Sequence, residues 1–150
     1  MKLASALKER SDINTRIQEL SVRLVNNSKV QEGDKPAENP DELLKEMDSL
    51  FERLQYLITH INMTNSLTEL KGKTLTELLS ERDVLSKKLS VLRSFLNSAS
   101  EKVNRYSRTE IRIESSVNVA ELQKTVDSLS KELRTLDEAI QEANWTTELK

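Results

Sequence analysis

Residues 75–103 read LTELLSERDVLSKKLSVLRSFLNSASEKV. Within them Leu75, Leu78, Arg82, Leu85, Leu89, Leu92, Leu96, Ala99 and Val103 recur at alternating steps of three and four. That spacing puts all nine on one stripe of an α-helix, the a/d seam of a bundle or coiled coil. Arg82 alone carries a charge into the stripe. The same grammar returns in Leu3, Ala6, Arg10, Ile13, Ile17, Leu20 and Leu24, again with one arginine. It returns in Leu44, Met47, Phe51, Leu54, Ile58 and Ile61, and in Leu122, Val126, Leu129, Leu133, Leu136, Ile140 and Ala143. The second of these four seams is widened by Leu43, Leu50 and Leu57, a breadth that predicts two neighbouring helices rather than one.

The punctuation between seams agrees with four helices. In Asn39-Pro40-Asp41-Glu42, Asn39 can accept from free backbone N–H groups, Pro40 suits the first helical position and Glu42 completes a capping box. Gly72 breaks the chain before Thr74 and Glu77. Asn118 with Glu121 repeats the cap, and Val117 with Leu122 forms a hydrophobic staple. The sequence predicts one all-α domain over 1–150, with helices near 3–27, 41–64, 75–103 and 119–143. An up-down-up-down four-helix bundle is the first expectation. Two coiled-coil-like helical hairpins, completed by a second chain, are the runner-up. Between helices three and four, Arg105-Tyr106-Ser107-Arg108-Thr109-Glu110-Ile111-Arg112-Ile113-Glu114 alternates charged and apolar residues at its end, which predicts a short extended arm pairing near Val30 or with another chain.

Composition narrows the chemistry. Charged residues make up 32% and aromatics 3% of 150 residues, with net charge −2, so there is no global attraction to nucleic acid or an anionic membrane. The chain has no cysteine and one histidine, His60, with Leu57 rather than a glutamate three residues before it. Thiolate chemistry, a ferritin-like Glu-x-x-His site and other His-based metal sets are therefore excluded, and no cofactor is expected. Pairs such as Glu42/Glu46 and Glu81/Asp83 arise by chance on solvated helix faces, and Lys71-Gly72-Lys73-Thr74 lacks phosphate-loop spacing. No segment reaches the roughly 18 apolar residues of a membrane span, and the apolar start of the chain stops at Lys8, too short for a secretory signal. The expectation is a cytoplasmic protein without stable membrane insertion.

Two clusters are candidates for binding. Arg10 and Arg82 each sit seven residues into a seam, and a guanidinium there must pair or reach solvent because its uncompensated burial costs several kcal/mol. Asp137 flanks the fourth seam and is the natural partner, fixing helix register; the rival reading is an anionic small molecule held by Arg10 and Arg82. The second cluster is Arg105, Tyr106 and Arg108 of the arm, facing an acidic connector of Glu32, Asp34 and Glu38. One aromatic is too few for a nucleic-acid stacking platform.

Gln31-Glu32-Gly33, Glu38-Asn39-Pro40, Ile61-Asn62-Met63-Thr64-Asn65, Arg82-Asp83, Arg105 to Ile111 and Ile140-Gln141-Glu142-Ala143-Asn144-Trp145 follow one another in a recognisable order. On them the chain resembles a family of small bacterial helical proteins of unknown function, some of which carry the name septicolysin. The resemblance spans nearly the whole chain and brings no established activity and no functional residues. The lysin name implies membrane damage, from which this chain departs in having no span and no basic amphipathic face. The leading expectation is a structural or interaction module that self-associates.

Overall fold

The computed structural model describes residues 1–101 and 112–150. The chain is all-α: α1 (Leu3–Asn26), α2 (Pro40–Leu67), α3 (Leu75–Ser100) and α4 (Val119–Thr146), with a two-stranded sheet of β1 (Glu69–Leu70) and β2 (Lys73–Thr74). It divides into two compact units, Met1–Thr76 with Gln141–Lys150, and Glu77–Ile140.

In the first unit, α1 and α2 run antiparallel around Leu3, Ala6, Ile13, Leu20, Leu43, Leu57 and Ile61, all buried. Fully burying one such side chain contributes about 1.5–3 kcal/mol, so this seam is the main term holding the hairpin. On α1 the buried line is the one the spacing predicts. On α2 it is displaced by one residue: Leu43, Leu57 and Ile61 are buried and Met47, Leu50 and Leu54 half-buried. Leu44, Phe51 and Ile58, expected on the seam, are 47%, 49% and 41% exposed. Of the broad apolar stripe, α1 covers one edge only.

Caps act where the sequence places them. Asn39 Oδ1 accepts from Asp41 N–H at 3.0 Å ahead of Pro40, and Asn118 Oδ1 accepts from Glu121 N–H at 3.2 Å. Polar Asn62 to Asn65 suggest that α2 ends at residue 64, yet it continues to Leu67. Thr64 explains the continuation: fully buried, its hydroxyl donates to the His60 carbonyl at 2.7 Å and accepts from Lys150 N–H at 2.9 Å. Neither the hydroxyl nor the helix has a reason to break there.

The segment after α4 is stitched to the start of α1. Leu3 N–H donates to the Thr147 carbonyl at 2.9 Å and Leu149 N–H to the Met1 carbonyl at 2.8 Å. The first of these gives the opening N–H of α1 the partner that Lys2, which makes no side-chain cap, does not supply.

Extended structure lies elsewhere than the sequence suggests. Among the described residues the one sheet is the hairpin β1–β2, in register Glu69↔Thr74 and Leu70↔Lys73. Its two-residue turn has Lys71 at φ 50° and Gly72 at φ 84°, the left-handed pair that a tight hairpin of right-twisted strands requires. Residues 112–115 form no strand, with Ile113 exposed, and the rest of the expected arm lies outside the described residues.

In the second unit, Leu89 and Leu96 of α3 and Val126 of α4 form a buried cluster, flanked by Leu85, Leu92, Val119, Leu122, Leu129 and Leu133. This is the leucine seam read from residues 75–103, meeting its counterpart on α4. Arg93 adds a cross-helix hydrogen bond to Ser130 Oγ at 3.0 Å.

Candidate functional site

The two flanks of the α1–α2 seam differ in kind. Along one flank two ion pairs cross between the helices, and a third ties α1 to the connector ahead of α2. Arg53 Nε and Nη2 donate to Glu9 at 2.6 and 3.0 Å, Arg16 Nε donates to Glu46 at 2.8 Å, and Arg23 grips both oxygens of Glu38. Glu9, Arg16 and Arg23 lie seven residues apart, one per two turns, so they form a single row beside the seam. Glu38 is oriented further by its own N–H, which donates to Asn27 Oδ1 at 3.0 Å. The hydrogen-bonded Arg53 guanidinium lowers the Glu9 carboxyl below the ordinary carboxylate range, and Arg23 does the same to Glu38. The bonded carboxylates in turn raise the three arginines, Glu46 acting on Arg16, Glu38 on Arg23 and Glu9 on Arg53.

The other flank is nearly free of charge. On α1 the positions next to the seam are Ala4, Leu7, Ser11, Asn14, Gln18, Ser21 and Val25; on α2 they are Leu44, Asp48, Phe51, Gln55, Ile58 and Asn62. With Asp41 at the start of the same α2 row, the flank carries two charged residues in fourteen, Asp41 and Asp48, in a chain that is 32% charged overall. Leu44, Phe51 and Ile58 stand along it as a ladder at seven-residue spacing, each between two-fifths and one-half exposed. Scattered surface leucines need no explanation, whereas an aligned apolar row on a face depleted of charge has the composition of a protein interface.

The arginines singled out by the sequence are placed separately. Arg10 is half-buried in the first unit and Arg82 belongs to the second. Arg82 Nη2 and Nε donate to Asp83 Oδ1 at 3.0 and 3.2 Å, and Nη1 lies 3.9 Å from Asp137 Oδ1. With 32% of its side chain exposed, Arg82 is half-buried, its shortest bonds going to its chain neighbour and a longer contact to Asp137 of α4. The shallow groove beside it is lined by Arg82, Asp83, Ser86, Ser130, Leu133, Arg134 and Asp137. Two cations and two carboxylates balance there, which leaves no net positive field for an anion. Arg105, Tyr106 and Arg108 lie outside the described residues; Arg112, at the end of the same run, is exposed and 4.0 Å from Glu114. No group of three or more metal-ligating side chains occurs among the described residues.

The ion-pair row was legible in the heptad positions of Glu9, Arg16, Arg23, Glu46 and Arg53, but only once the seam of α2 is placed one residue earlier. The open ladder needed the structure, because the sequence alone does not say which edge of a double-width stripe is covered.

The crystal structure of a functionally unknown conserved protein from Corynebacterium diphtheriae is similar at 43% identity, with a TM-score of 0.90, over 100% of this chain and 99% of that one. No curated protein matches the chain in sequence. The model of a family of unknown function, DUF6847, matches residues 10–149, and the chain belongs to that family.

Proposed function

We propose that this chain is a helical protein-interaction module that self-associates through the charge-poor flank of the α1–α2 hairpin. The ladder of Leu44, Phe51 and Ile58 carries the reading: three large apolar side chains in one row, exposed, beside a buried seam that already serves the hairpin. At about 1.5 Å per residue α1 is about 36 Å long, and two helices with axes about 9 Å apart span about 18 Å. Such a face offers roughly 650 Å² per copy, close to the about 800 Å² per partner of a stable interface. The cysteine-free composition suits a reducing cytoplasm.

The anion-binding alternative at Arg10 and Arg82 has the balanced charges of the Arg82 groove against it. The membrane-lytic alternative, suggested by the septicolysin-like resemblance, has no observation behind it; none of the described helices is long and apolar enough to cross a membrane.

Light scattering on a dilution series tests the proposal. A mass of two chains at high concentration that falls toward one on dilution supports it, and a single-chain mass throughout overturns it.

A further inference from the structure

We infer that the second copy docks with its α2 antiparallel to the first, on a two-fold axis passing beside Phe51. The inference rests on the self-association reading above and specifies its geometry.

Leu44 and Ile58 lie seven residues on either side of Phe51, and the three are almost equally exposed. A self-complementary interface brings the same patch from both subunits together, so residue i of one copy meets residue j of the other and j meets i. Reversal about Phe51 maps the ladder onto itself, with Leu44 against Ile58, Phe51 against Phe51 and Ile58 against Leu44. Packing α2 on the partner's α1 would set the middle of the ladder against Ser11, Asn14, Gln18 and Ser21, with Leu7 and Val25 toward the ends, and so remove less apolar surface from water than ladder on ladder.

A parallel pairing of the two α2 helices would also superimpose the ladder, and the bordering row decides between them. That row is Asp41, Asp48, Gln55 and Asn62, again at sevens, and all four are exposed. Its carboxylates occupy the first half and its amides the second. In parallel, Asp48 would face Asp48 and Asp41 would face Asp41, like charges opposed along the interface. In the antiparallel arrangement Asp48 meets Gln55 and Asp41 meets Asn62, carboxylate acceptor against amide donor on both sides of the axis. Opposed helix dipoles favour the same choice.

Because the chain contains no cysteine, introduced ones report geometry without background. Leu44→Cys, Ile58→Cys and Phe51→Cys are made singly at exposed sites, checked for helix content by circular dichroism, and oxidised alone and in mixtures, with light scattering run in parallel. A disulfide requires Cα atoms about 4.4–6.8 Å apart, so it forms only between positions that face each other. The antiparallel axis predicts that Phe51→Cys cross-links with itself. It also predicts that Leu44→Cys cross-links in mixture with Ile58→Cys, and that neither of these does so alone. Self-cross-linking of Leu44→Cys or Ile58→Cys in a dimeric sample overturns the antiparallel axis and leaves self-association standing. A dimer in which the Leu44→Cys and Ile58→Cys mixture fails to cross-link also overturns the axis. A wild-type chain monomeric at every concentration removes both readings, and where Phe51→Cys alone loses the dimer the Leu44→Cys and Ile58→Cys mixture decides the axis.

Discussion

The two flanks of the α1–α2 hairpin share helices, seam and length, and differ only in what borders the seam. One is closed by Glu9–Arg53 and Arg16–Glu46, which join the two helices, and by Arg23–Glu38, which joins α1 to the connector ahead of α2. The other presents Leu44, Phe51 and Ile58, each left 41–49% exposed beside an α1 face that is mostly small or polar apart from Leu7 and Val25. Charges satisfied within the chain orient the hairpin and resist association with a like surface, since each would be desolvated without gaining a partner. An apolar row has no such cost. One short hairpin thus specifies its own pairing on one side and leaves an apolar row open on the other.

The sharpest way to break the comparison is to remove what both flanks depend on. Leu57 is fully buried in the seam, and Leu57→Ala should lower stability by about 2–5 kcal/mol. Urea unfolding followed by circular dichroism checks this, and an unchanged midpoint would mean that the seam does not hold the hairpin. Next in size, Phe51→Glu should weaken association by at least about 2 kcal/mol, roughly thirtyfold, as the loss of a central aromatic anchor does. At concentrations where the chain is monomeric, its melting temperature should barely move.

A smaller effect extends the comparison to the second unit. Arg82 interrupts the α3 seam with a half-buried charge whose shortest bonds go to Asp83, its own chain neighbour. Arg82→Leu should therefore add about 1 kcal/mol of stability without loss of helix content, by filling the stripe with apolar surface. A destabilised or multiply oligomeric variant would instead assign Arg82 a role in setting register.

The smallest effect concerns acid. Glu9 and Glu38 are held below the ordinary carboxylate range by Arg53 and Arg23, so the folded chain takes up their protons less readily than the unfolded chain. Their contribution is complete above the ordinary carboxylate range and is lost as pH falls through their lowered values. Melting temperature should be flat near neutral pH and decline in acid. Glu38→Gln should shallow that decline modestly, because the pair is solvent-exposed and screened.

Much of the fold is legible in residue spacing. Seams on α1, α3 and α4 can be read because each has one apolar line, and the caps at Asn39 and Asn118 because their side chains have one geometric use. On α2 two adjacent lines, Leu43-Leu50-Leu57 and Leu44-Phe51-Ile58, compete for the core, and spacing alone selects the wrong one. The row Glu9, Arg16, Arg23 breaks that tie, since its partners Glu46 and Arg53 flank only the first line. The β1–β2 hairpin was hidden because its turn is Lys71-Gly72: the lysine adopts a left-handed conformation at some cost, where asparagine would have announced the turn. Arg82 is legible as an irregularity, but its bonding to Asp83, the next residue, is not.

The central claim is that the charge-poor flank associates and the ion-paired flank does not. Sedimentation velocity on three samples at one concentration, wild type, Phe51→Glu and Arg16→Gln, tests it directly. The expected result is a dimer for wild type and for Arg16→Gln and a monomer for Phe51→Glu. A dimer that survives Phe51→Glu but dissociates on Arg16→Gln would contradict it.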